Sequence, residues 1–346
     1  MLQAEPCIFG FVAWQNTVGL CGDLLVFRIQ TPLTAAPDQP PRRPPAENRL
    51  PGAVPLMLET TPDRSFALID SGNRQKLERY GSCLVVRPEG QALWQPALSQ
   101  KHWLDADAVF TGDTDEDGMG RWRFPKHPLG ETWPLDWDGI AYLGRFTSFR
   151  HVGVFPEQSV HWRFIEERVK SVKHPVRMLN LFGYTGLASL VAARAGAHVT
   201  HVDASKKAIG WARENQQVAG LDAKPIRWIC DDAIKFCQRE LRRNAKYEAI
   251  ILDPPSFGRG PKGEVWQLFE HLPHMLGLVR ALMSARPLFI VLTAYSIRFS
   301  FQALHELMQE IMGDAGGKLE SGELVIRTEA SQRLLSTSLY SRWVAP

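Results

Sequence analysis

The stretch Ala249-Ile250-Ile251-Leu252-Asp253-Pro254-Pro255-Ser256-Phe257 decides the fold of this 346-residue chain. Its four apolar residues predict a buried strand that delivers a carboxylate, two prolines and an aromatic ring to one edge of a sheet. Because a proline keeps the preceding residue extended, we expect the Pro254 carbonyl to point in a fixed direction. In isolation the stretch is more typical of an ordinary strand exit than of a site, so the rest of the chain has to decide.

From about residue 176 the apolar pattern alternates between strands and helices. The predicted strands are Val176–Phe182, His198–Asp203, Ile226–Cys230, Glu248–Asp253 and Leu288–Ala294. The predicted helices include Leu187–Ala195, which ends at Gly196, and a Ser205-capped helix that runs to Val218. This alternation predicts an α/β domain over residues 166–346, in which a parallel, Rossmann-like sheet is covered on both faces.

The carboxyl terminus departs from this alternation. Glu323–Arg327 and Ser336–Arg342 are adjacent strand patterns with no helix between them. They predict an antiparallel hairpin on the edge of the sheet.

The amino-terminal half divides into two segments. Residues 1–56 are rich in proline and are predicted to be disordered or extended, and we expect the functional protein to start near Met57. Residues 57–165 contain short strand patterns and recurrent tryptophans, which predict a smaller β-rich accessory domain. The tryptophans are more typical of core and turn anchors than of base-stacking platforms, although both roles stay open.

Composition and short motifs exclude several classes of protein. The net charge of +3 is too small to indicate a nucleic-acid partner. Five cysteines without a Cys-x-x-Cys pair favour a reducing cytoplasm over a disulfide framework or a zinc site. We expect no membrane span, because no apolar run approaches about 18 residues. Asp113, Asp115 and Asp117 imitate half a calcium loop, but Phe124 stands where that loop needs a glutamate, so we expect a surface turn and no metal.

Residues suited to an adenosine ligand follow successive strands. The first strand leads into Phe182-Gly183-Tyr184-Thr185-Gly186, where a glycine lets the backbone approach a ligand. Asp203 ends the second strand and can accept hydrogen bonds from a ribose, while Asp232, with Asp231 as its competitor, follows the third and can accept from adenine beside the Ala233 amide. One such aspartate is more often a helix cap, but their order along the sheet predicts a nucleoside site. Neither Gly-x-Gly-x-x-Gly nor a phosphate loop is present, which argues against a dehydrogenase and an ATPase.

These motifs together resemble class I S-adenosylmethionine-dependent methyltransferases. Within that class they are similar to the bacterial large-subunit (23S) ribosomal RNA methyltransferases of the cytosine-C5 and guanine-N7 branch. The resemblance rests on Asn180–Gly186, Val202–Ser205, Asp231–Ala233, Asp253–Phe257 and Arg150–Gln158. It implies a seven-stranded sheet with an antiparallel last strand. It also implies that S-adenosylmethionine is bound by Phe155, Gln158, Asn180, Phe182, Gly183, Tyr184, Thr185, Gly186, Asp203, Asp232 and Ala233.

The opening stretch then becomes the predicted acceptor site. Asp253 and the Pro254 carbonyl can orient an acceptor nitrogen, and Phe257 can stack on a base. Methylation at C5 of a pyrimidine needs a cysteine nucleophile. In this chain Ser256 and the Thr293–Ser296 segment stand at the positions where relatives carry that cysteine, so we expect no covalent intermediate.

The sequence therefore predicts a methyltransferase that modifies a nitrogen of a ribosomal RNA base. Methylation of a protein side chain or a small molecule is the alternative among enzymes, and a non-catalytic RNA-binding scaffold is the alternative of another class. Arg259 and Lys262 beside the acceptor loop are the favoured phosphate contacts, whereas the basic run Arg239–Lys246 fits a solvated helix face equally well. The oligomeric state stays open.

Overall fold

The computed structural model describes residues 54–112, 120–295 and 300–346. All of them belong to one compact unit, Pro51–Pro346. Residues 1–53 with Cys7 and Cys21, the calcium-like turn within 113–119, and Ser296 lie outside the described residues.

The central sheet has eight strands. In spatial order they are β1 (Leu56–Thr60), β16 (Lys318–Arg327), β17 (Leu334–Val344), β15 (Phe289–Ala294), β12 (Ala249–Leu252), β9 (Arg177–Leu181), β10 (His198–Asp203) and β11 (Ile226–Cys230). β17 runs antiparallel to both of its neighbours and every other pair is parallel. The predicted α/β fold with a seven-stranded sheet and a reversed last strand is confirmed, and β1 adds an eighth strand.

The carboxyl-terminal hairpin does not form the sheet edge that its sequence predicts. β17 inserts between β15 and β16, and β1 then covers β16 by pairing Leu56 with Gly322. A Cβ at Gly322 would lie 2.0 Å from the Leu56 carbonyl oxygen, so the approach of β1 requires a glycine there. Pairing of β1 satisfies backbone groups that an edge strand would leave open.

Helices cover both faces of this sheet. They are α2 (Ser159–Lys170), α3 (Leu187–Ala195), α4 (Lys206–Val218), α5 (Ala233–Arg242), α6 (Leu268–Leu282) and α7 (Phe301–Met312). Alternate residues of β9 serve different layers: Leu179 packs in the core shared with α5, α6 and α7, while Met178 packs in the core shared with α2 and α3. The predicted cap of α4 is confirmed, since the Ser205 hydroxyl accepts a hydrogen bond from the Ala208 amide at 3.2 Å.

The residues between β1 and α2 form two smaller sheets. One contains β2 (Phe66–Gly72), β3 (Gln75–Tyr80), β4 (Cys83–Pro88), β5 (Ala108–Gly112) and β6 (Gly120–Arg123), with the short helix α1 (Gln100–Leu104) between β4 and β5. The other pairs β7 (Thr132–Trp137) with β8 (Ile140–Arg145). These seven strands confirm the β-rich character predicted from the sequence.

Several tryptophans of these sheets act as anchors. Trp133 donates its indole hydrogen to the Tyr80 carbonyl at 3.1 Å, and Trp137 packs edge-on against Trp162 of α2 at 5.3 Å. Indoles of this kind join the β-rich sheets to each other and to the helix that leads into the central sheet. In the part of the chain that the structure describes, no helix is long and apolar enough to cross a membrane.

Candidate active site

A cavity of about 470 Å3 opens at the carboxyl ends of the central strands. A smaller cavity of about 70 Å3 shares Phe155, Phe182, Tyr184 and Asp253 with it. Between them, the two cavities are lined by all eleven residues predicted to hold the cofactor. We call the part lined by Phe182–Gly186, Asp203, Asp232 and Ala233 the cofactor half.

The loop after β9 has an unusual backbone. Phe182 and Tyr184 have φ angles of +57° and +52°, in the left-handed region that bulky residues rarely adopt. The loop is held in that shape because the Gly183 amide donates to the Val202 carbonyl at 3.1 Å, and the Tyr184 amide donates to Asp203 Oδ2 at 2.9 Å. Non-glycine residues held at positive φ concentrate at ligand sites, so this strain marks the cofactor half.

Gly183 lies over a buried polar group. A Cβ on it would lie 2.3 Å from His201 Cε1, closer than side chains tolerate. His201 is held by Ser189, whose hydroxyl lies 3.0 Å from its Nδ1 and also accepts from Asn180 Nδ2 at 2.8 Å. The Asn180 side chain therefore supports the loop from below, a role that its sequence motif did not reveal.

Thr185 fastens the loop to the segment before α2. Its hydroxyl donates to the Gly153 carbonyl at 2.6 Å, and its own carbonyl accepts from Asn215 Nδ2 at 3.0 Å. Gly153 in turn has a φ of +94°, and a Cβ there would collide with the Trp211 ring. Thr185 thus positions the segment that carries Phe155 and Gln158 against the cofactor half.

Asp203 is placed as the sequence predicts for a ribose ligand. Oδ1 accepts from the Ser205 amide at 2.8 Å and Oδ2 accepts from the Tyr184 amide. Burial raises the pKa of Asp203, and the two amide hydrogen bonds oppose that rise. Each carboxylate oxygen can accept a second hydrogen bond, so the group remains able to receive ribose hydroxyls.

Asp232 combines the two roles that the sequence left open. Its Oδ1 accepts from the Lys235 amide at 2.9 Å and caps α5, while the residue also lines the larger cavity with Ala233. Asp231 instead accepts a hydrogen bond from the Arg239 guanidinium and from the Asp232 amide. This ion pair leaves Asp232 as the better candidate for an adenine contact.

The acceptor half of the cavity is lined by Asp253, Pro255, Ser256 and Tyr295. Asp253 follows β12, and its Oδ2 accepts from Gln158 Nε2 at 3.2 Å. Two of the three residues predicted to act on the acceptor, Pro254 and Phe257, do not line either cavity. Pro254 is buried, and Phe257 is 44% exposed at the start of a hairpin formed by β13 (Phe257–Arg259) and β14 (Val265–Gln267).

Hydrogen bonds fix the acceptor loop in this register. Trp266 of β14 donates its indole hydrogen to the Pro255 carbonyl at 2.7 Å. The Ser256 hydroxyl donates to the Tyr295 carbonyl at 3.1 Å, and the Ser256 carbonyl accepts from the Leu268 amide at 3.0 Å. These contacts place Pro255 and Ser256 at the cavity, in place of the predicted Pro254 and Phe257.

The sequence did not predict two aromatic residues that line the larger cavity, Tyr295 and Trp266. The Phe155 ring contacts Tyr184 at 5.7 Å and Tyr295 at 5.1 Å between centroids, and Phe182 contacts Trp266 at 4.9 Å. Tyr295 could have been found, because it directly follows β15 at the same sheet edge as the predicted aspartates. Trp266 gave no such signal, since it belongs to a hairpin beyond the sheet.

The sequence also missed a wall of the cavity that the β-rich sheet supplies. We call it the β-rich wall: Lys76, Arg87, Glu89, Gly90 and Gln91. Arg87 is buried and forms two hydrogen bonds with the Glu78 carboxylate, at 2.7 and 2.8 Å. Although burial alone would raise the pKa of Glu78, Arg87 and Lys76 hold it below its ordinary value. The charged residues of the wall, Lys76, Arg87 and Glu89, are thus held in ion pairs.

The cysteines that the structure describes are Cys83, Cys230 and Cys237, and none of these three lines either cavity. Burial raises the pKa of the Cys83 and Cys237 thiols to about 12, so neither forms a thiolate at neutral pH. In the described ranges, no group of three or more histidines, cysteines or acids is arranged to hold a metal ion.

Comparison with known proteins identifies the family that the sequence motifs resemble. The profile of the S-adenosylmethionine-dependent methyltransferase family matches residues 100–283, more than half of the chain. The crystal structure of the SAM-dependent methyltransferase from Agrobacterium tumefaciens is 60% identical, with a TM-score of 0.81, covering 86% of this chain and 97% of that one. The structure of SMU.776 complexed with SAH shares the fold at 16% identity, with a TM-score of 0.61 over 82% of this chain and 76% of that one.

Curated relatives include ribosomal RNA enzymes. Ribosomal RNA large subunit methyltransferase K of Neisseria meningitidis serogroup B is 26% identical over 211 residues, which are 58% of this chain and 57% of the relative. Methyltransferase K/L of Shewanella frigidimarina is 32% identical over 148 residues, 42% of this chain and 20% of the relative. The chain thus spans about half, or less, of the length of these relatives. By the profile match and the crystal structure, this chain belongs to the S-adenosylmethionine-dependent methyltransferase family.

Proposed function

We propose that the protein transfers a methyl group from S-adenosylmethionine to a nitrogen of a ribosomal RNA base. The observation that carries the proposal is one cavity lined both by Asp203, the predicted ribose ligand, and by Asp253, the predicted acceptor ligand. A cofactor and an acceptor held in one cavity can meet in line, which is the main requirement for methyl transfer.

The cofactor half fits the cofactor. The cavity that contains it has a volume of about 470 Å3, within the range of small-molecule sites, roughly 300–1,000 Å3. Asp203 offers paired carboxylate oxygens for ribose hydroxyls, and Asp232 with Ala233 supplies an acceptor beside a helix amino terminus for adenine. The methionine portion would lie along the strained loop Phe182–Gly186, where backbone groups rather than side chains approach it.

The acceptor half accounts for the transfer. When bound, S-adenosylmethionine supplies a methyl group on a positively charged sulfur, so the acceptor needs orientation more than activation. Asp253 would accept a hydrogen bond from the N–H of the acceptor. As the nitrogen lone pair forms the new N–C bond and the S–C bond breaks, the Asp253 carboxylate would take the proton that the nitrogen loses.

The cysteine positions support a nitrogen acceptor over C5 of a pyrimidine. Attack on the pyrimidine ring requires a thiolate in the cavity. Ser256 and Tyr295 occupy the acceptor half instead, and the three described cysteines lie elsewhere.

Two findings support an RNA acceptor. The matched relatives from Neisseria and Shewanella are named as ribosomal RNA methyltransferases. Exposed aromatic rings also lie on the β13–β14 hairpin and at the start of α6, where Phe257 is 44% and Phe269 is 56% exposed, and the Arg259 guanidinium lies 5.9 Å from the Phe257 ring centroid. Aromatic rings beside a cation suit unstacked bases and their phosphates, and a base within a duplex would have to be flipped out.

The same proposal assigns a role to each domain. Residues 166–346 form the catalytic domain, to which β1 and the start of α2 also belong, and the other residues of 57–165 form an accessory domain that faces the acceptor through the β-rich wall. A cytoplasmic location is part of the proposal, since ribosomal RNA is found there and the cysteine pattern suits a reducing compartment.

Mass spectrometry of nucleosides from ribosomal RNA tests this function. RNA from cells that lack the protein should lose one N-methylated nucleoside, which the wild-type gene restores and Asp253→Asn does not. An unchanged set of methylated nucleosides in the deletion strain would contradict the proposal, and loss of a C5-methylated pyrimidine would contradict the choice of acceptor atom.

Charge reversal tests the RNA surface separately. Arg259→Glu with Lys262→Glu should weaken methylation of RNA about tenfold or more, because phosphate contacts are lost, without a change in cofactor affinity. Arg242→Glu is the matched control, since Arg242 is exposed on α5 within the basic run whose role the sequence left open. Full activity of the double variant would rule out Arg259 and Lys262 as phosphate contacts.

A further inference from the structure

The Gln158 amide is fully engaged with protein groups. Its Nε2 donates to Asp253 Oδ2 at 3.2 Å and to the Tyr295 hydroxyl at 3.1 Å, while its Oε1 accepts from the Thr293 hydroxyl at 3.4 Å. An amide nitrogen has two hydrogens, and both have an acceptor here. The flipped orientation would place the amide oxygen against the carboxylate, so the hydrogen bonds define the orientation of the amide.

Tyr295 is fixed on several sides. Its phenol oxygen accepts from Gln158, its hydroxyl forms a hydrogen bond with the Glu157 carboxyl group, and its ring contacts Phe155 at 5.1 Å. The backbone carbonyl accepts from Ser256 at 3.1 Å. Burial raises the pKa of Tyr295 well above its ordinary value, so the hydroxyl stays protonated and keeps its place as a donor.

Glu157 anchors the other end of this chain of hydrogen bonds. Burial raises the pKa of Glu157, against the opposing effects of Lys76 and Arg87 in the β-rich wall, while Glu78 adds to the rise. Its backbone carbonyl accepts from the Thr60 hydroxyl of β1 at 3.2 Å. Glu157 and Gln158 lie in a single turn of 3-10 helix, Pro156–Gln158, so one backbone segment holds both ends of the network.

We infer that Gln158 and Tyr295 are positioning residues that orient the Asp253 carboxylate toward the acceptor. Gln158 was predicted as a cofactor ligand, but its amide hydrogens are directed at Asp253 and Tyr295. A carboxylate at a strand end is free to rotate unless neighbours hold it, and small errors in orientation lower transfer rates strongly. This inference rests on the proposed function and adds to it the residues that set the acceptor geometry.

A double-mutant cycle tests the inference. Gln158→Leu removes both donors, and it should lower the single-turnover rate of RNA methylation about tenfold to a hundredfold, as expected for the loss of a hydrogen bond to a charged group. The affinity for S-adenosylmethionine should stay within about twofold, because no step of the positioning involves the cofactor. Tyr295→Phe should lower the rate in the same direction by about tenfold or less.

The cycle also includes Asp253→Asn. If Gln158 acts through Asp253, Gln158→Leu should cost little more in the Asp253→Asn background. Full additivity of the two substitutions, or a large loss of cofactor affinity in Gln158→Leu, would overturn the inference. Should Gln158→Leu fail to fold, Thr293→Val removes only the hydroxyl that holds the amide and should show a smaller effect with the same pattern.

Crystal structures separate this inference from the proposed function. In Gln158→Leu and Tyr295→Phe the Asp253 carboxylate should turn from its wild-type orientation, whatever the acceptor is. An unchanged carboxylate in both variants would overturn the inference even if RNA methylation were established. Conversely, absence of RNA methylation by the wild-type protein would contradict the proposed function and leave the structural comparison to decide the role of Gln158 and Tyr295.

Discussion

The cofactor half and the acceptor half of the cavity are assembled from the chain in different ways. The cofactor half lies at the ends of three successive strands: Phe182–Gly186 follows β9, Asp203 ends β10 and Asp232 comes shortly after β11. The acceptor half joins residues far apart in sequence: Gln158 lies 95 residues before Asp253 and 137 before Tyr295. A local pattern therefore encodes cofactor binding, whereas acceptor geometry depends on how distant segments pack.

Substitution of Asp253 is expected to have the largest effect on methyl transfer, and it should affect only the acceptor half. Asp253→Asn keeps the size of the side chain but removes the charge and the proton acceptor, so the rate of methyl transfer should fall about 10²–10⁴-fold. The affinity for S-adenosylmethionine should hardly change, because Asp253 belongs to the acceptor half. Transfer of a tritiated methyl group under single-turnover conditions gives the rate, and a comparable loss of cofactor affinity would show that the halves are not separate.

Asp203→Asn probes the cofactor half. The variant should bind S-adenosylmethionine about 10- to 100-fold more weakly, since hydrogen bonds to a charged group contribute roughly 1.5–3 kcal/mol. Isothermal titration calorimetry measures the affinity. Asp222→Asn, an exposed residue after α4, serves as the matched control and should bind like the wild type. Unchanged binding by Asp203→Asn would contradict its assignment as a ribose ligand.

Alanine substitutions at two glycines test how closely the loop Phe182–Gly186 packs on His201. Gly183→Ala places a Cβ against His201 and should destabilise the fold by about 1–3 kcal/mol, as overpacking does. Gly210→Ala lies on the exposed face of α4, with no atom within 4 Å of the added Cβ, and should stabilise it by about 0.5–1 kcal/mol. Urea unfolding compares the two. Equal stability of both variants would mean that the loop moves at Gly183 to make room for the added Cβ.

The buried His201 also makes the free energy of unfolding depend on pH. Burial lowers the pKa of His201 from 6.5 to about 3, so the unfolded chain binds a proton below pH 6.5 that the folded protein does not. Its contribution to stability is present above that pH and is lost as the pH falls toward 3. Each pH unit in this window should cost about 1.4 kcal/mol through His201. Burial also lowers the pKa of His161 to about 3, so His201→Gln should reduce the pH dependence of the unfolding free energy without abolishing it. An unchanged slope would show that the pKa of His201 is not lowered in the fold.

The strand and helix pattern of the cofactor half could be predicted closely. The predicted ranges for β10, β11 and α3 match the observed ones, because each is a short apolar run bounded by a glycine, a cap or an aspartate. The strain at Phe182 and Tyr184 was not predictable, since these bulky residues adopt a backbone that their own preferences oppose. Only the packing of the loop over His201 and Asp203 imposes it.

The residues of the acceptor half could be predicted from the sequence only in part. The prolines predict a stiff exit from β12, but stiffness does not tell which of two adjacent residues faces the cavity. The hydrogen bond from Trp266 to the Pro255 carbonyl selects Pro255 over Pro254, and it comes from the β13–β14 hairpin. The β-rich wall and β1 were missed for a similar reason, because their partners lie in other parts of the chain.

Methyl transfer to ribosomal RNA, measured as S-adenosylmethionine is raised to saturation, tests most directly whether the two halves of the cavity have separate roles. The substrate is RNA from cells that lack the protein, and the enzymes are wild type, Asp203→Asn and Asp253→Asn. Saturating cofactor should restore the Asp203→Asn rate toward wild type and leave Asp253→Asn slow at every concentration. Recovery of Asp253→Asn by the cofactor, or failure of Asp203→Asn to recover, would contradict the division of the cavity into a cofactor half and an acceptor half.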